Sequence, residues 1–153
     1  MLKRLVRSDD LKTYKDIALV AVCVALVAGI AFFGWHFFSG KYEEFNAVAK
    51  PIIADVADSG WSNEALARHA SPALKRQVDD PAHKDGLATL RPLGRLKTYE
   101  GVRSFKQNTG GGTTTASLDA EAEFEHGKAN VSMTLSWVQD HWNLDSFYVK
   151  KIP

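Results

Sequence analysis

The chain has 153 residues, and its 19 Lys and Arg against 18 Asp and Glu leave a formal net charge of +1. This balance, without any basic run, argues against nucleic-acid binding, which needs a clustered positive face. The chain has one cysteine, Cys23, which excludes an intrachain disulfide, so an apolar core must hold the fold together.

The first element is an apolar segment from Ile17 to Phe38 that contains no Lys, Arg, Asp or Glu. At about 1.5 Å per residue, a helix of this length crosses the ~30 Å hydrocarbon core of a bilayer. A cleaved signal peptide and lipoprotein processing at Cys23 are the alternatives. However, the run is longer than a signal core and ends in aromatic residues, and Val20-Ala21-Val22 puts a β-branched residue where a small one is required before Cys23. We therefore predict an uncleaved transmembrane helix over residues 17–39.

The flanking charges predict the orientation of this helix. Basic residues are more numerous before it than after it: Lys3, Arg4, Arg7, Lys12 and Lys15 precede it, and Lys41 and Lys50 follow it. By the positive-inside rule, residues 1–16 form a cytoplasmic tail and residues 40–153 lie outside the cytoplasm. In a bacterium with two membranes, this places the span in the inner membrane and the outer domain in the periplasm.

Small residues recur along the span at three- and four-residue spacing, and they are Ala21, Ala25, Ala28 and Gly29. This spacing puts them on one helix face, where small side chains let a second helix approach closely. The pattern is typical of a helix-packing face, and an alanine-rich face turned to lipid explains it equally well.

The outer domain begins with helices. From Glu43, apolar residues recur at helical spacing, which predicts an amphipathic helix with a kink or restart near Pro51 and an end at residues 58–60. Ser62 and Ser71-Pro72 are N-cap signals for short helices, the first over residues 63–69. Asp80-Pro81 is a further signal of this kind, for a helix that buries Leu87 and Leu90.

After Gly94 the apolar period changes to two, which predicts an antiparallel sheet. Residues 116–124 and 129–137 alternate cleanly. A two-residue loop at His126-Gly127 would pair Phe124 with Ala129 and Ala116 with Trp137, with every apolar pair on one face.

Two less regular strands flank this hairpin. The pattern of residues 95–107 predicts an earlier strand with a bulge at Gly101, and we expect a flexible loop over residues 109–113 to follow it. The last strand, residues 142–152, begins after a turn at Asp140-His141 and needs a bulge near Ser146 to reconcile its apolar positions.

Helices followed by a curled antiparallel meander define an α+β fold. The element order, together with the closing segments 122–137 and 142–149, resembles the nuclear transport factor 2-like (cystatin-like) superfamily of cone-shaped domains over about residues 43–153. That superfamily includes the inner-membrane assembly subunit of type IV secretion systems, which has a short cytoplasmic tail, one span and this domain in the same order. The resemblance implies two or three helices packed on a curved antiparallel sheet of about four strands.

Candidate catalytic residues form no recognisable constellation. The histidines, at positions 36, 69, 83, 126 and 141, lack metal-ligand spacing. Asp119, Glu121 and Glu123 alternate with apolar residues, which indicates the solvated face of a strand. Superfamily enzymes use His and Asp inside the cone, whereas the inward positions of the two clearest strands are apolar. We expect no catalytic residue, no metal and no cofactor.

The aromatic residues favour contacts instead of chemistry. Trp137 is expected in the core, whereas Trp61, between helices, and Trp142, beside a turn, are candidates for a partner surface. We therefore expect a non-catalytic, single-pass accessory or assembly subunit whose partners are the lipid bilayer and a membrane protein complex or a second copy, and not nucleic acid. The alternative is a tethered pocket domain that binds a small apolar ligand or is a degenerate enzyme.

Overall fold

The computed structural model describes residues 8–80 and 86–153, with side chains from residue 19 onward except that of residue 38. The chain divides into two compact units, Met1–Lys41 and Tyr42–Pro153. The basic residues before position 8, His83 and the proline of the Asp80-Pro81 signal lie outside the described residues.

Helix α1, Ser8–Asp58, contains the apolar segment. Its described apolar side chains from Leu19 to Phe37 are exposed in the single chain, and the helix is long and apolar enough to cross a membrane. Of the two outcomes predicted near Pro51, a kink or a restart, the restart does not occur, because α1 continues past this proline to Asp58 as one element. The proline costs the helix one N–H donor, and the buried residues on either side of it, such as Ala49 and Ile53, hold that part of α1 in the domain core.

The short helices begin where their caps predict. Helix α2, Asn63–His69, starts after Ser62, whose Oγ accepts from the Ala65 N–H at 3.2 Å. Helix α3, Pro72–Val78, starts after Ser71, whose Oγ accepts from the Leu74 N–H at 3.3 Å. A 3₁₀ helix, Ala88–Leu93, completes the helical part, and Leu87 before it is buried.

The sheet is a four-stranded antiparallel meander in the order β1-β2-β3-β4. Its strands are β1, Leu96–Gly110, β2, Thr113–Phe124, β3, Gly127–Val138, and β4, His141–Ile152. The register slips beside Gly101 in β1 and beside Ser146 in β4, which confirms both predicted bulges. The predicted flexible loop over residues 109–113 is instead a tight turn at Gly111 and Gly112, both with positive φ.

The register predicted for the β2–β3 hairpin is wrong by two residues. Phe124 pairs with Gly127 and Ala122 with Ala129, so the turn is Glu125-His126 and not His126-Gly127. The segment before β1 fixes this turn, because the Glu125 and His126 N–H groups donate to the carbonyls of Arg95 and Leu93 at 3.0 Å each. A two-residue shift preserves the side-chain faces, so the predicted inward residues from Ala116 to Leu135 are buried as expected.

The core lies between the second part of α1 and the concave face of the sheet. Phe45 of α1 contacts Phe105 and Trp142, with ring centroids 4.9 and 5.6 Å apart. Ile53 and Val56 of α1 are fully buried, as are the sheet residues Phe124, Leu118, Val131, Leu135 and Leu144. The fold is therefore α+β, with short helices on a curved, open antiparallel sheet, as predicted.

Candidate binding groove beside the β4 edge

The two edges of the sheet differ in how their backbone groups are satisfied. At the β1 edge, side chains of α1 take up backbone groups. The Asn46 Oδ1 accepts from the Val102 N–H at 2.7 Å, and the Tyr42 hydroxyl donates to the Arg103 carbonyl at 3.4 Å. An open sheet edge is a template for another strand, and α1 occupies the β1 edge at Val102 and Arg103.

Among the residues that the structure describes, the β4 edge has one backbone attachment. The Ser71 N–H donates to the Leu144 carbonyl at 2.7 Å, and Ala70 forms an isolated parallel bridge with Leu144. This bond shows that the backbone groups of Leu144 point away from β3, because the N–H and C=O of one strand residue share a side.

The observed register shows which other residues of β4 have outward-facing backbone groups. Beyond the bulge, Ser146 pairs with Thr134 and Phe147 with Met133, so the backbone groups of Phe147, Val149 and Lys151 face away from β3. Within residues 8–80 and 86–153, these outward N–H and C=O groups have no backbone or side-chain partner. Within the described residues, the β4 edge from Phe147 onward is therefore open.

An apolar groove of about 320 Å³ runs beside this open edge. Its floor and walls come from α2, α3, the 3₁₀ helix and β4, and the apolar lining residues are Leu66, Leu74, Val78, Leu87, Leu90, Phe147, Tyr148 and Val149. Asn63, Gln77 and Thr89 add polar groups to the lining. The Tyr148 side chain is 65% exposed. The groove thus combines apolar side-chain sites with unpaired strand backbone.

The opposite, convex face of the sheet carries the acidic residues that alternate along β2, paired with polar partners on the adjacent strands. Glu123 lies 2.8 Å from the Lys97 Nζ, and Glu121 lies 3.0 Å from the Arg103 Nε. The hydrogen bond from Lys97 lowers the pKa of Glu123. The Asp119 carboxylate accepts from Ser104 and Ser132. The three carboxylates of β2 therefore lie on the polar face of the strand, as predicted, and each has a partner on an adjacent strand.

A second polar cluster ties α1 to α2. The Arg68 Nη2 lies 2.7 Å from the Asp55 Oδ1, and the His69 Nε2 lies 2.8 Å from its Oδ2. The hydrogen bond from Arg68 lowers the pKa of Asp55 to about 2, with His69 adding to the effect. Asp55 is thus ionised throughout the physiological range and fastens the ends of two helices. His69 is the last residue of α2, as the predicted helix over residues 63–69 implies, but its carboxylate partner lies 14 residues earlier in α1 and no sequence pattern indicates the pairing.

The residues predicted as functional from sequence fall in three different places. The small-residue positions of the span, Ala21, Ala25, Ala28 and Gly29, lie in α1 and are exposed in the single chain. Trp61 is not on the surface, so its assignment to a partner surface is wrong: it is 1% exposed, its Nε1 donates to the Gly94 carbonyl at 2.9 Å, and its ring contacts Phe124.

The prediction for Trp137 is wrong, whereas Trp142 is partly exposed. Trp137, expected in the core, is 41% exposed. Trp142 is half-buried and packs its ring between Phe45 and Trp137. It is therefore partly exposed, and its place on a partner surface stays a prediction.

Compared with protein-family models, curated proteins and solved structures, the chain shows no significant match.

Proposed function

We propose that this chain is a non-catalytic, single-pass membrane accessory or assembly subunit whose outer domain holds an extended segment of a partner protein along β4. The observation that carries the proposal is the open β4 edge from Phe147 to Lys151 beside an apolar groove. In strand addition, main-chain hydrogen bonds supply affinity and side-chain pockets supply specificity. Both elements are present here in one place.

The packing of the concave face supports a contact role. Enzymes and ligand carriers of the resembled superfamily work inside the cone, whereas Phe45, Trp61 and Phe124 fill this space here. The resemblance to membrane-anchored assembly subunits points the same way, because they have a tail, one span and this kind of domain in the same order.

The anchoring part of the proposal rests on the apolar segment of α1, with an inner bacterial membrane as its location and the N-terminus in the cytoplasm. A reporter that is active only outside the cytoplasm should function when fused after Pro153 and fail when fused before Ile17. The opposite pattern would overturn the proposed orientation.

A photoreactive amino acid at Tyr148 of the full-length protein tests the binding site in cells. Tyr148 lies at the β4 edge beside the groove and is 65% exposed, with its side chain on the convex face opposite Ser132. Ser117 is exposed on the same face but lies on β2, two strands from the edge, and provides the matched control position. We expect irradiation to join another protein to position 148 and not to position 117. Equal adducts at both positions, or none at 148, would contradict a partner in the groove.

A small apolar ligand is the second candidate occupant. The groove volume of about 320 Å³ lies at the small end of ligand pockets, and most of its lining is apolar. Native mass spectrometry of the full-length protein released from detergent distinguishes the two. A bound small molecule that is lost on Leu87→Glu substitution would favour a ligand pocket over a site for a partner strand.

A further inference from the structure

A second exposed apolar feature lies at one end of the sheet, away from the groove. Trp137 and Val138, at the end of β3, are 41% and 45% exposed. The Trp137 ring meets the Trp142 ring edge-on, with centroids 5.2 Å apart. We call Trp137, Val138 and Trp142 the aromatic end of the sheet.

The aromatic end is where the chain enters the outer domain. Trp142 packs on Phe45, and its Nε1 donates to the Glu44 carboxylate at 3.3 Å. Both contacts come within the first turn after Tyr42, the first residue of this unit. The turns Gly111-Gly112 and Gln139-Asp140 lie at this same end of the meander, because β1 and β3 both run toward it.

The length of the connecting chain limits how far this end can move from the apolar segment. From Phe38, where that segment ends, to Phe45, the backbone spans at most about 25 Å in any conformation. The polar headgroup layer occupies roughly 5–8 Å on each side of a bilayer core. The aromatic end is therefore tethered within reach of the lipid surface.

Tryptophan suits such a surface, because its ring is apolar and its N–H needs a polar partner. Trp137 is partly exposed beside an apolar valine, and Gly and Thr residues flank the turn at Gly111-Gly112, whereas the other turn is Gln139-Asp140. We propose that the aromatic end rests in the lipid interface on the outer side of the membrane, which gives the domain a second membrane contact. This inference rests on the proposed anchoring and is independent of the groove.

Spin labels on the full chain in phosphatidylcholine nanodiscs test this contact. In a Cys23→Ser background, Val138→Cys places a label at the aromatic end, and Thr113→Cys places a second label at the adjacent turn. Tyr148→Cys is the control, since Tyr148 is also exposed but lies about 20 Å along β4 from Trp142. Collisions with oxygen, which concentrates in lipid, are compared with collisions with a water-soluble nickel chelate.

We expect the oxygen-to-nickel collision ratio at positions 138 and 113 to exceed that at position 148 several-fold. Equal ratios at all three positions would overturn the inference, and so would shielding of position 138 from both reagents, which indicates protein contact. A chain that fails to enter nanodiscs would overturn the proposed anchoring itself. If the chain enters nanodiscs but the labels at positions 138 and 113 collide mainly with the nickel chelate, the lipid contact is overturned and the anchoring is not.

Discussion

The backbone N–H of Ser71 donates to the carbonyl of Leu144 at 2.7 Å, and the same serine caps α3 through its Oγ. One residue therefore both starts the helix that forms a wall of the groove and fixes that helix to β4. Beyond Leu144, the edge strand is free of such attachments within the part of the chain that the structure describes. This contact places α3 beside β4, which forms the groove, and it marks the point beyond which the β4 edge is open.

Two substitutions at Ser71 separate the cap from the backbone bond. Ser71→Ala removes the Oγ acceptor and should lower the free energy of unfolding by about 1 kcal/mol. Ser71→Pro also removes the N–H, and its backbone angles of −61° and 161° already suit proline, so strain adds little. We expect urea unfolding of the full-length protein to show a clearly larger loss for Ser71→Pro. Equal losses would mean that the bond to Leu144 contributes nothing.

Engineered disulfides test the hairpin register. Ser117 pairs with Thr134 across β2 and β3, on the exposed face and in a position without ladder hydrogen bonds, where side chains are closest. In a Cys23→Ser background, cysteines at 117 and 134 should oxidise readily. In the register predicted from sequence, residues 119 and 134 would be directly opposite each other. In the structure they are diagonal neighbours, so cysteines at these two positions should remain reduced. Gel mobility under non-reducing conditions gives the result, and preferential oxidation of the 119 and 134 pair would contradict the observed register.

The assignment of side chains to the two faces of β3 is tested by a pair of adjacent substitutions. Leu135 is fully buried, so Leu135→Asp puts an unpaired charge into the core and should unfold the outer domain. Thr134, on the convex face, should accept Asp at a much smaller cost in unfolding free energy. Hydrogen exchange of the outer domain measures both effects. Similar losses of protection for the two variants would mean that the faces are misassigned.

The Asp55 cluster predicts a specific loss of stability in acid. The pKa of Asp55 is lowered to about 2 in the folded chain, so its contribution is complete above the ordinary value near 3.8 and is lost as pH falls from about 4 toward 2. Because the group is partly solvated, we expect this contribution to be roughly 1 kcal/mol. Asp55→Asn should lose it at neutral pH and show a flatter stability profile between pH 4 and 2. If the free energy of unfolding of Asp55→Asn falls with pH in parallel with that of the native chain, Asp55 is not the source of the acid sensitivity.

Features set by local chemistry could be predicted from the sequence. The caps at Ser62 and Ser71 have their partners within three residues, and the period-two pattern fixed which side chains of β2 and β3 point inward. The register itself could not be predicted, because shifts of two residues leave that pattern unchanged. Contacts from Leu93 and Arg95 decide it, and they come from outside the hairpin.

The site depended on tertiary contacts and was not predictable. Trp61 is buried because a carbonyl at Gly94, far along the chain, accepts its N–H. Trp137 is partly exposed although it shares the inward parity of β3, so its burial could not be predicted from the alternation of that strand. The groove likewise arises from the placement of α3 against β4, which the sequence pattern of neither element predicts.

The central claim, that a partner strand adds to β4, is tested most directly by comparing Lys151→Pro with Lys151→Ala. The Lys151 N–H faces away from β3 and its side chain is exposed, so proline removes an outward donor without breaking the β3–β4 ladder. Alanine removes the same side chain and keeps the donor. In the full-length protein with the photoreactive group at position 148, Lys151→Pro should reduce the cross-linked adduct at least tenfold, and Lys151→Ala should leave it nearly unchanged. Equal adduct in both variants would contradict strand addition at this edge.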